Sequence, residues 1–205
     1  MKQRFSLILA GMLLAAVGAA GTLHGLRAAA AQILYHQAKF GSARDNPRRI
    51  LRRCEAAHRL YPFNYRFCGW AAEEAYYHPS PVPAAAAHWC DAGLRLNPYV
   101  RDLQVLKTRL LAERSLPRAI EHWEAYVDRN FWDPYHHALL AELHAHAGHF
   151  SEALESLKWV KGSPYFRETR RIVDEAWDRE TAPPDLRSPP AADPAAAPGH
   201  ENSIR

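Results

Sequence analysis

Apolar residues recur along the middle of the chain in steps of four and three, the spacing that places side chains on one face of an α-helix. Three segments share this pattern, and their apolar positions are Ile50, Cys54, Ala57 and Leu60; Ala86, Cys90, Gly93 and Leu96; and Ala119, Trp123 and Tyr126. Each segment opens with a proline, at Pro47, Pro83 and Pro117. Because the first turn of a helix needs no backbone N–H, proline is well suited to that position. The pattern therefore predicts three helices of similar design.

Each of these helices is followed by a second apolar segment, with Phe67, Trp70, Ala71 and Ala75; then Leu103, Leu106, Leu110 and Leu111; then Leu139, Leu140, Leu143 and Ala147. Prolines between the segments, Pro62, Pro98 and Pro134, are 98 − 62 = 36 and 134 − 98 = 36 residues apart. A helical hairpin repeated at such a period cannot bury its apolar stripe alone. We therefore expect an all-α fold of stacked antiparallel hairpins, with a non-repetitive helical bundle as the alternative.

Two stretches resemble the tetratricopeptide repeat (TPR) family. Residues 86–98, AAHWCDAGLRLNP, are similar to the second helix of that repeat and its closing proline. Residues 139–157 are similar to its hairpin turn, with Ala147-Gly148-His149-Phe150 followed by Glu152-Ala153-Leu154. The resemblance covers roughly residues 30–178 in about four units. No unit has the family's full Trp, Leu-Gly, Tyr pattern, and residues 129–131 lengthen the third unit.

The resemblance implies a non-catalytic scaffold that binds a protein or peptide partner in a concave groove lined by the first helix of each unit. The groove positions of the family correspond here to Arg101, Gln104, Thr108, Tyr135, Ala138, Glu142 and His146. It also implies that Ala153 packs tightly between paired helices. The rival interpretation is an accessory subunit of a membrane-bound cell-envelope or glycan-assembly enzyme.

The N-terminus has the pattern of a targeting segment. Lys2 and Arg4 precede an uncharged, largely apolar run from Ser6 to Leu23, which His24 and Arg27 end. We interpret residues 1–27 as a single-pass anchor that places the repeat domain, residues 28–178, outside the cytoplasm at the cell membrane. The alternative is a signal peptide cleaved after Val17-Gly18-Ala19, which leaves a secreted or periplasmic protein.

The C-terminal end of the chain has a different composition. A helix around residues 165–177 is expected to cap the repeats, because terminal repeats need a polar outer face. Residues 179–205 are rich in Pro and Ala and have no apolar period, which predicts a disordered tail.

Composition and motifs argue for a folded protein without catalytic chemistry. Of 205 residues, 48% are hydrophobic and 23% are charged, and this balance excludes wholesale disorder. The sequence has no dinucleotide, P-loop, HExxH or GxSxG motif. We therefore expect no enzyme activity and no cofactor, and an exported chain is not expected to bind nucleic acid.

Five histidines within a short segment are candidate metal ligands: His136, His137, His144, His146 and His149. Imidazoles bind zinc and copper, but no two of these residues have the i, i+4 spacing that chelates on one helix face. His137 and His144 also fall where the TPR family has large core side chains. We expect packing rather than a metal site.

Four arginines, Arg48, Arg49, Arg52 and Arg53, share one face of the first proline-initiated helix. A solvated face is the expected interpretation, so their replacement by Gln should change stability little. The alternatives are contact with anionic lipid headgroups or with an acidic partner.

Aromatic and cysteine residues are expected to serve packing. Trp70, Trp123 and Trp159 have helical core spacing, whereas Trp132 in the lengthened loop is expected to be exposed. Three cysteines, Cys54, Cys68 and Cys90, form no even-numbered framework. Buried free thiols are favoured over a Cys54/Cys90 or Cys68/Cys90 bridge.

Overall fold

The computed structural model describes residues 2–41 and 46–182, with side chains from residue 10 onward. All regular secondary structure in these residues is helical, which confirms the all-α prediction. The helices are α1 (Lys2–Phe40), α2 (Pro47–Leu60), α3 (Tyr65–Tyr77), α4 (Pro83–Leu96), α5 (Arg101–Ala112), α6 (Leu116–Val127), α7 (Pro134–His146), α8 (Phe150–Val160) and α9 (Phe166–Thr181). The predicted tail beyond residue 182 lies outside the described residues.

Side-chain caps and prolines define where several helices begin. The side chains of Asn46, Asn64 and Asp133 accept hydrogen bonds from backbone N–H groups in the first turns of α2, α3 and α7. Such caps satisfy donors that have no partner within the helix. Pro47 and Pro83 begin α2 and α4, as the sequence predicts.

The chain divides into two compact units, Met1–Tyr126 and Val127–Arg205. In the first unit α1 pairs with α2 and α3 pairs with α4, while α2 contacts α3, α4 contacts α5, and α3 also contacts α5. Helix contacts are thus between near neighbours in the sequence. The buried core of this unit includes the predicted stripe residues Ile50, Cys54, Ala71, Ala75, Ala86, Cys90, Leu103, Leu106 and Leu110.

Small residues bring α3, α4 and α5 close together. A Cβ atom built on Gly93 would lie 2.6 Å from Leu103 Cδ1 and 3.2 Å from the Cβ of Cys68. Neither distance is available to a real side chain without movement of its neighbours. Gly93 therefore lets α4 lie close to α3 and α5, and a larger residue there would require Leu103 and Cys68 to shift.

Helix α1 continues without a break through residues 27 and 28, where the sequence suggested a boundary. Its C-terminal part packs on α2 and α3: Ala31 is fully buried in a cluster with Ala57 and Phe67. The Tyr35 ring lies 5.1 Å from that of Phe67. Its N-terminal part exposes apolar side chains, including Leu13, Leu14, Val17, Leu23 and Leu26. Over Ala10–Phe40 the helix is long and apolar enough to cross a membrane.

Helix positions repeat at 36 residues only once. The starts of α2 and α4 differ by 83 − 47 = 36, and those of α3 and α5 by 101 − 65 = 36. The next pairs differ by 116 − 83 = 33 and 134 − 101 = 33. Pro62 and Pro98 precede α3 and α5, whereas Pro134 is the first residue of α7. The second 36-residue proline interval is therefore not a structural period, because the helix starts there are 33 residues apart and Pro134 lies three residues later relative to its helix than Pro62 and Pro98 do.

The second unit is described by α7, α8 and α9. Helices α7 and α8 form a hairpin, and α9 packs against both. The turn between α7 and α8 contains Gly148 with φ +75°, a conformation that favours glycine. Helix α9 ends at Thr181, beyond the predicted cap, so the first residues of the predicted tail are helical. Ion pairs from Arg171 to Glu168 and Glu175 lie along it.

Ala153 is fully buried among Ala141, Ala145, Leu157 and Val173, as the TPR resemblance implied. We expect Ala153→Trp to overpack this core and to lower the free energy of unfolding by roughly 1–3 kcal/mol. Leu154 is the next residue on α8 and is 41% exposed, so the matched variant Leu154→Trp should change stability by no more than about 0.5 kcal/mol. Thermal or denaturant melts measure both. Equal effects of the two substitutions would contradict this packing.

Candidate partner-binding groove

A cavity of about 360 Å³ lies between α1, α3 and α5 in the first unit. Its walls are formed by Tyr35 and Lys39 of α1; by Tyr65, Arg66, Gly69, Trp70 and Glu73 of α3; and by Val100, Asp102 and Leu103 at the start of α5. A second cavity of about 280 Å³ shares Trp70 and Glu73 and is otherwise lined by Glu74, Tyr77, His78 and Pro79. We call the two cavities together the α3 groove.

The sequence of α3 explains why this helix forms the floor of the groove. Phe67, Cys68, Ala71 and Ala75 are buried in the core. Arg66, Trp70 and Glu73 recur in steps of four and three and form a second stripe. Gly69 lies between them, and a Cβ there would be 3.9 Å from Leu103, at ordinary contact distance. The helix thus has an apolar stripe for the core and a polar, aromatic stripe for the groove.

Trp70 combines an aromatic face with a free donor. Its buried indole Nε1–H has no hydrogen-bond acceptor among the residues that the structure describes. Lys39 Nζ lies 4.9 Å from the centre of the Trp70 ring, within range of a cation–π interaction. A buried donor without a partner is costly, whereas the ring itself lines the cavity.

Glu73 is a half-buried carboxyl group. Desolvation by burial raises its pKa, and the neighbouring negative charge of Asp102 raises it further, while Lys39 opposes the shift. The charged form of Glu73 is therefore held at a cost in free energy. A cationic group that entered the groove would reduce this cost.

The groove residues predicted from the TPR resemblance fall into two classes. Gln104, Thr108 and Ala138 are buried, whereas Arg101 and His146 are exposed and Tyr135 and Glu142 are half-buried. Gln104 Nε2 donates to the Pro98 carbonyl at 2.6 Å, and the Thr108 hydroxyl donates to the Gln104 carbonyl at 2.9 Å. His146 lines a separate cavity of about 160 Å³ in the second unit.

On α5 the cavity is lined by Val100, Asp102 and Leu103 rather than by the predicted Arg101, Gln104 and Thr108. Leu103 lies close to the Gly69 and Gly93 positions of α3 and α4. The groove assigned from family positions stays a prediction.

Sequence reasoning missed the contributions of α1 and α3 to the groove. The available signals were the small or apolar positions Ala31, Leu34 and Ala38, whose spacing continues a helix beyond the targeting segment, and the second stripe of α3.

Two residues of the histidine-rich segment donate hydrogen bonds to backbone carbonyls of the α6–α7 connection. His136 Nδ1 donates to the Asn130 carbonyl at 3.0 Å, and His137 Nε2 donates to the Phe131 carbonyl at 2.7 Å. His137 and His144 are buried, as predicted. Within the described residues, no group of three or more His, Cys, Asp or Glu side chains is placed to hold a metal ion.

The tryptophan predictions are confirmed in part. Trp123 is fully buried and Trp132 is exposed, as predicted, and Trp70 is half-buried in the groove wall. Trp159 was expected in the core but is 57% exposed, because its ring stacks on His137 from outside at a centroid distance of 5.2 Å.

The three cysteines are buried and form no disulfide bond. Burial raises the pKa of Cys54 and Cys90 to about 12 and that of Cys68 to about 11. The thiols are therefore protonated at neutral pH and poorly reactive.

No protein-family model and no curated protein matches the chain.

The basic face is divided by the structure. Arg48, Arg49 and Arg52 are exposed, whereas Arg53 is half-buried. Arg53 Nη1 donates to the Gln37 carbonyl oxygen at 2.8 Å, near the C-terminal end of α1. A cation at that end of a helix is favourable. Arg53 thus joins α2 to α1 and is not part of a purely solvated face.

We expect Arg53→Gln to lower the free energy of unfolding by about 0.5–1.5 kcal/mol, because a charge-assisted hydrogen bond to α1 is lost. The adjacent control Arg52→Gln removes the same charge and should change stability by no more than about 0.5 kcal/mol. Chemical denaturation of both variants tests the difference. If the denaturation curves of the two variants were indistinguishable, Arg53 would belong to the solvated face with the other arginines.

The raised pKa of Glu73 predicts a pH-dependent effect of Glu73→Gln. As pH rises from the ordinary pKa of a glutamate through the raised value, the folded state binds more protons than the unfolded state, so the native carboxyl loses stability. Gln cannot ionise, and the variant should therefore be more stable than the native protein at neutral pH. The gain should vanish in acid. The control is Glu55→Gln, at an exposed position of α2. Thermal melts of both variants across this pH range test the expectation. The same pH dependence of stability in the two variants would contradict it.

Proposed function

We propose that the protein is a membrane-tethered, non-catalytic scaffold whose TPR-like helical hairpins bind an extended segment of a partner protein. The observation that carries this proposal is the α3 groove, which lies where α1, α3 and α5 come together. In a TPR-like arrangement these are the first helices of successive hairpins. Pairing of α1 with α2 and of α3 with α4, together with the contact between α3 and α5, supports that arrangement.

The groove chemistry suits a segment that carries both a basic and an acidic side chain. The Trp70 ring in the cavity wall offers an aromatic surface to such a segment. Glu73 and Asp102 supply negative charge beside the aromatic ring, and a cation between them would offset the desolvation of Glu73. Lys39 and Arg66 line the same cavity and would orient an acidic group of the segment.

Helix α1 supplies the proposed tether. Its N-terminal part is apolar, exposed and preceded by the basic residues Lys2 and Arg4, a pattern that holds the N-terminus inside the cell. In this arrangement the repeat units lie outside the cytoplasm. Since the same helix continues into the first hairpin, the groove is held close to the membrane.

This geometry favours an acidic partner over lipid headgroups as a ligand of the basic face. Gln37, the contact of Arg53, lies 37 − 23 = 14 residues beyond Leu23. That separation is about 21 Å along an α-helix, well beyond the Debye length of about 8 Å at physiological salt. An upright α1 therefore places Arg48, Arg49 and Arg52 outside the electrostatic range of the headgroups.

Affinity capture from detergent-solubilised membranes tests the groove. We expect a partner to co-purify with the native full-length chain and with the exposed control Glu55→Gln, and to be lost or weakened with Glu73→Gln, because only Glu73 lines the groove. Circular dichroism should show that both variants are folded. Equal capture by the two variants would place the binding surface elsewhere. An envelope-assembly enzyme among the captured proteins would make the chain its accessory subunit.

A further inference from the structure

The α2–α3 turn contains two aromatic residues beside the point where the apolar run of α1 ends. Helix α2 is antiparallel to α1: Arg53 contacts Gln37 near the end of α1, and Tyr61, just after α2, lies against His24. The centroids of the Tyr61 and His24 rings are 5.3 Å apart. His24 directly follows Leu23, the last residue of the uncharged run. The first hairpin thus returns the chain to the level at which a membrane span would end.

Phe63 extends the aromatic surface at this turn. It is 69% exposed, and its ring is 5.9 Å from that of Tyr61 in an edge-to-face arrangement. An apolar ring with this exposure is unfavourable in water. Arg27, which is exposed on the next turn of α1 after His24, adds a cation at the same level. Amphipathic rings and basic side chains together are the residues that membrane–water interfaces accept.

We propose that the α2–α3 turn is a membrane-contact surface, with Tyr61 and Phe63 inserted among the lipid headgroups beside His24 and Arg27. This inference rests on the proposed tether and adds a second attachment, one that belongs to the folded unit itself. Two attachments fix the rotation of the first unit about α1. The occupant of the exposed aromatic surface is the bilayer because Tyr61 contacts His24, which directly follows the uncharged run, and Leu23 and Leu26 at the same level of α1 are also exposed.

The chain contains a matched position for comparison. Tyr99 lies 99 − 63 = 36 residues after Phe63, in the equivalent turn between α4 and α5, and it is 67% exposed. Its neighbour Val100 shares the groove cavity with Tyr35. Tyr35 is 35 − 24 = 11 residues beyond His24, or about 16 Å along the helix axis. Headgroup layers are only about 5–8 Å thick on each side, so Tyr99 should remain in water.

Single cysteines at these two positions provide the test. Phe63→Cys and Tyr99→Cys are prepared in the full-length chain, labelled with an environment-sensitive thiol fluorophore and reconstituted into vesicles of mixed zwitterionic and anionic lipids. Cys54, Cys68 and Cys90 are fully buried and should not react; the unsubstituted chain measures any background. Flotation reports membrane retention, and lipids that carry a quencher at headgroup depth report contact.

We expect both variants to float with the vesicles. The label at position 63 should show blue-shifted emission and strong quenching by the headgroup quencher, while the label at position 99 should keep the emission of a fluorophore in water. A floating chain with water-like emission at both positions would overturn the membrane contact and leave the tether standing. Equal quenching at both positions would also overturn it as a specific site. A chain that fails to float would refute the tether, and the inference with it.

Discussion

The first unit depends on a close contact at Gly93, where α4 lies against Leu103 of α5 and Cys68 of α3. A glycine in the middle of a helix costs about 1 kcal/mol relative to alanine, so its presence there reflects a packing requirement. Leu103 occupies the space that a side chain would fill, and it also forms part of the groove wall. The absence of a side chain at Gly93 therefore leaves room for Leu103, which lines the groove.

Helix periodicity predicted most of the buried residues, although Leu96 of the second stripe is 40% exposed. It did not predict how each helix is rotated against its neighbour. Ile50, Cys54, Ala57, Cys90 and Trp123 are buried as their spacing requires. On α5 the cavity is lined by Asp102 and Leu103, and Leu103 lies close to two glycine positions on other helices. Pairwise contacts of this kind have no signature in the period of a single segment. Trp159 likewise has the spacing of a core residue, but it lies outside the core, where its ring stacks on His137.

Consecutive histidines solve a problem created by the longer α6–α7 connection. Six residues, 128–133, separate these helices, and their backbone carbonyls lose the partners that a helix would provide. His136 and His137 are buried and donate to two of these carbonyls. The burial of these two large polar rings is thus explained by hydrogen bonding to the loop. The imidazole nitrogens used in this way are not available as metal ligands.

An unbroken α1 also has a mechanical consequence. A flexible linker would let the groove explore a volume around its attachment point, whereas a helix acts as a rigid strut. For a strut that crosses the bilayer and ends its apolar run at Leu23, Tyr35 in the groove wall stands 35 − 23 = 12 residues higher, about 18 Å above the hydrocarbon. In the proposed arrangement, the groove would therefore meet only those segments that pass through a thin layer just above the membrane.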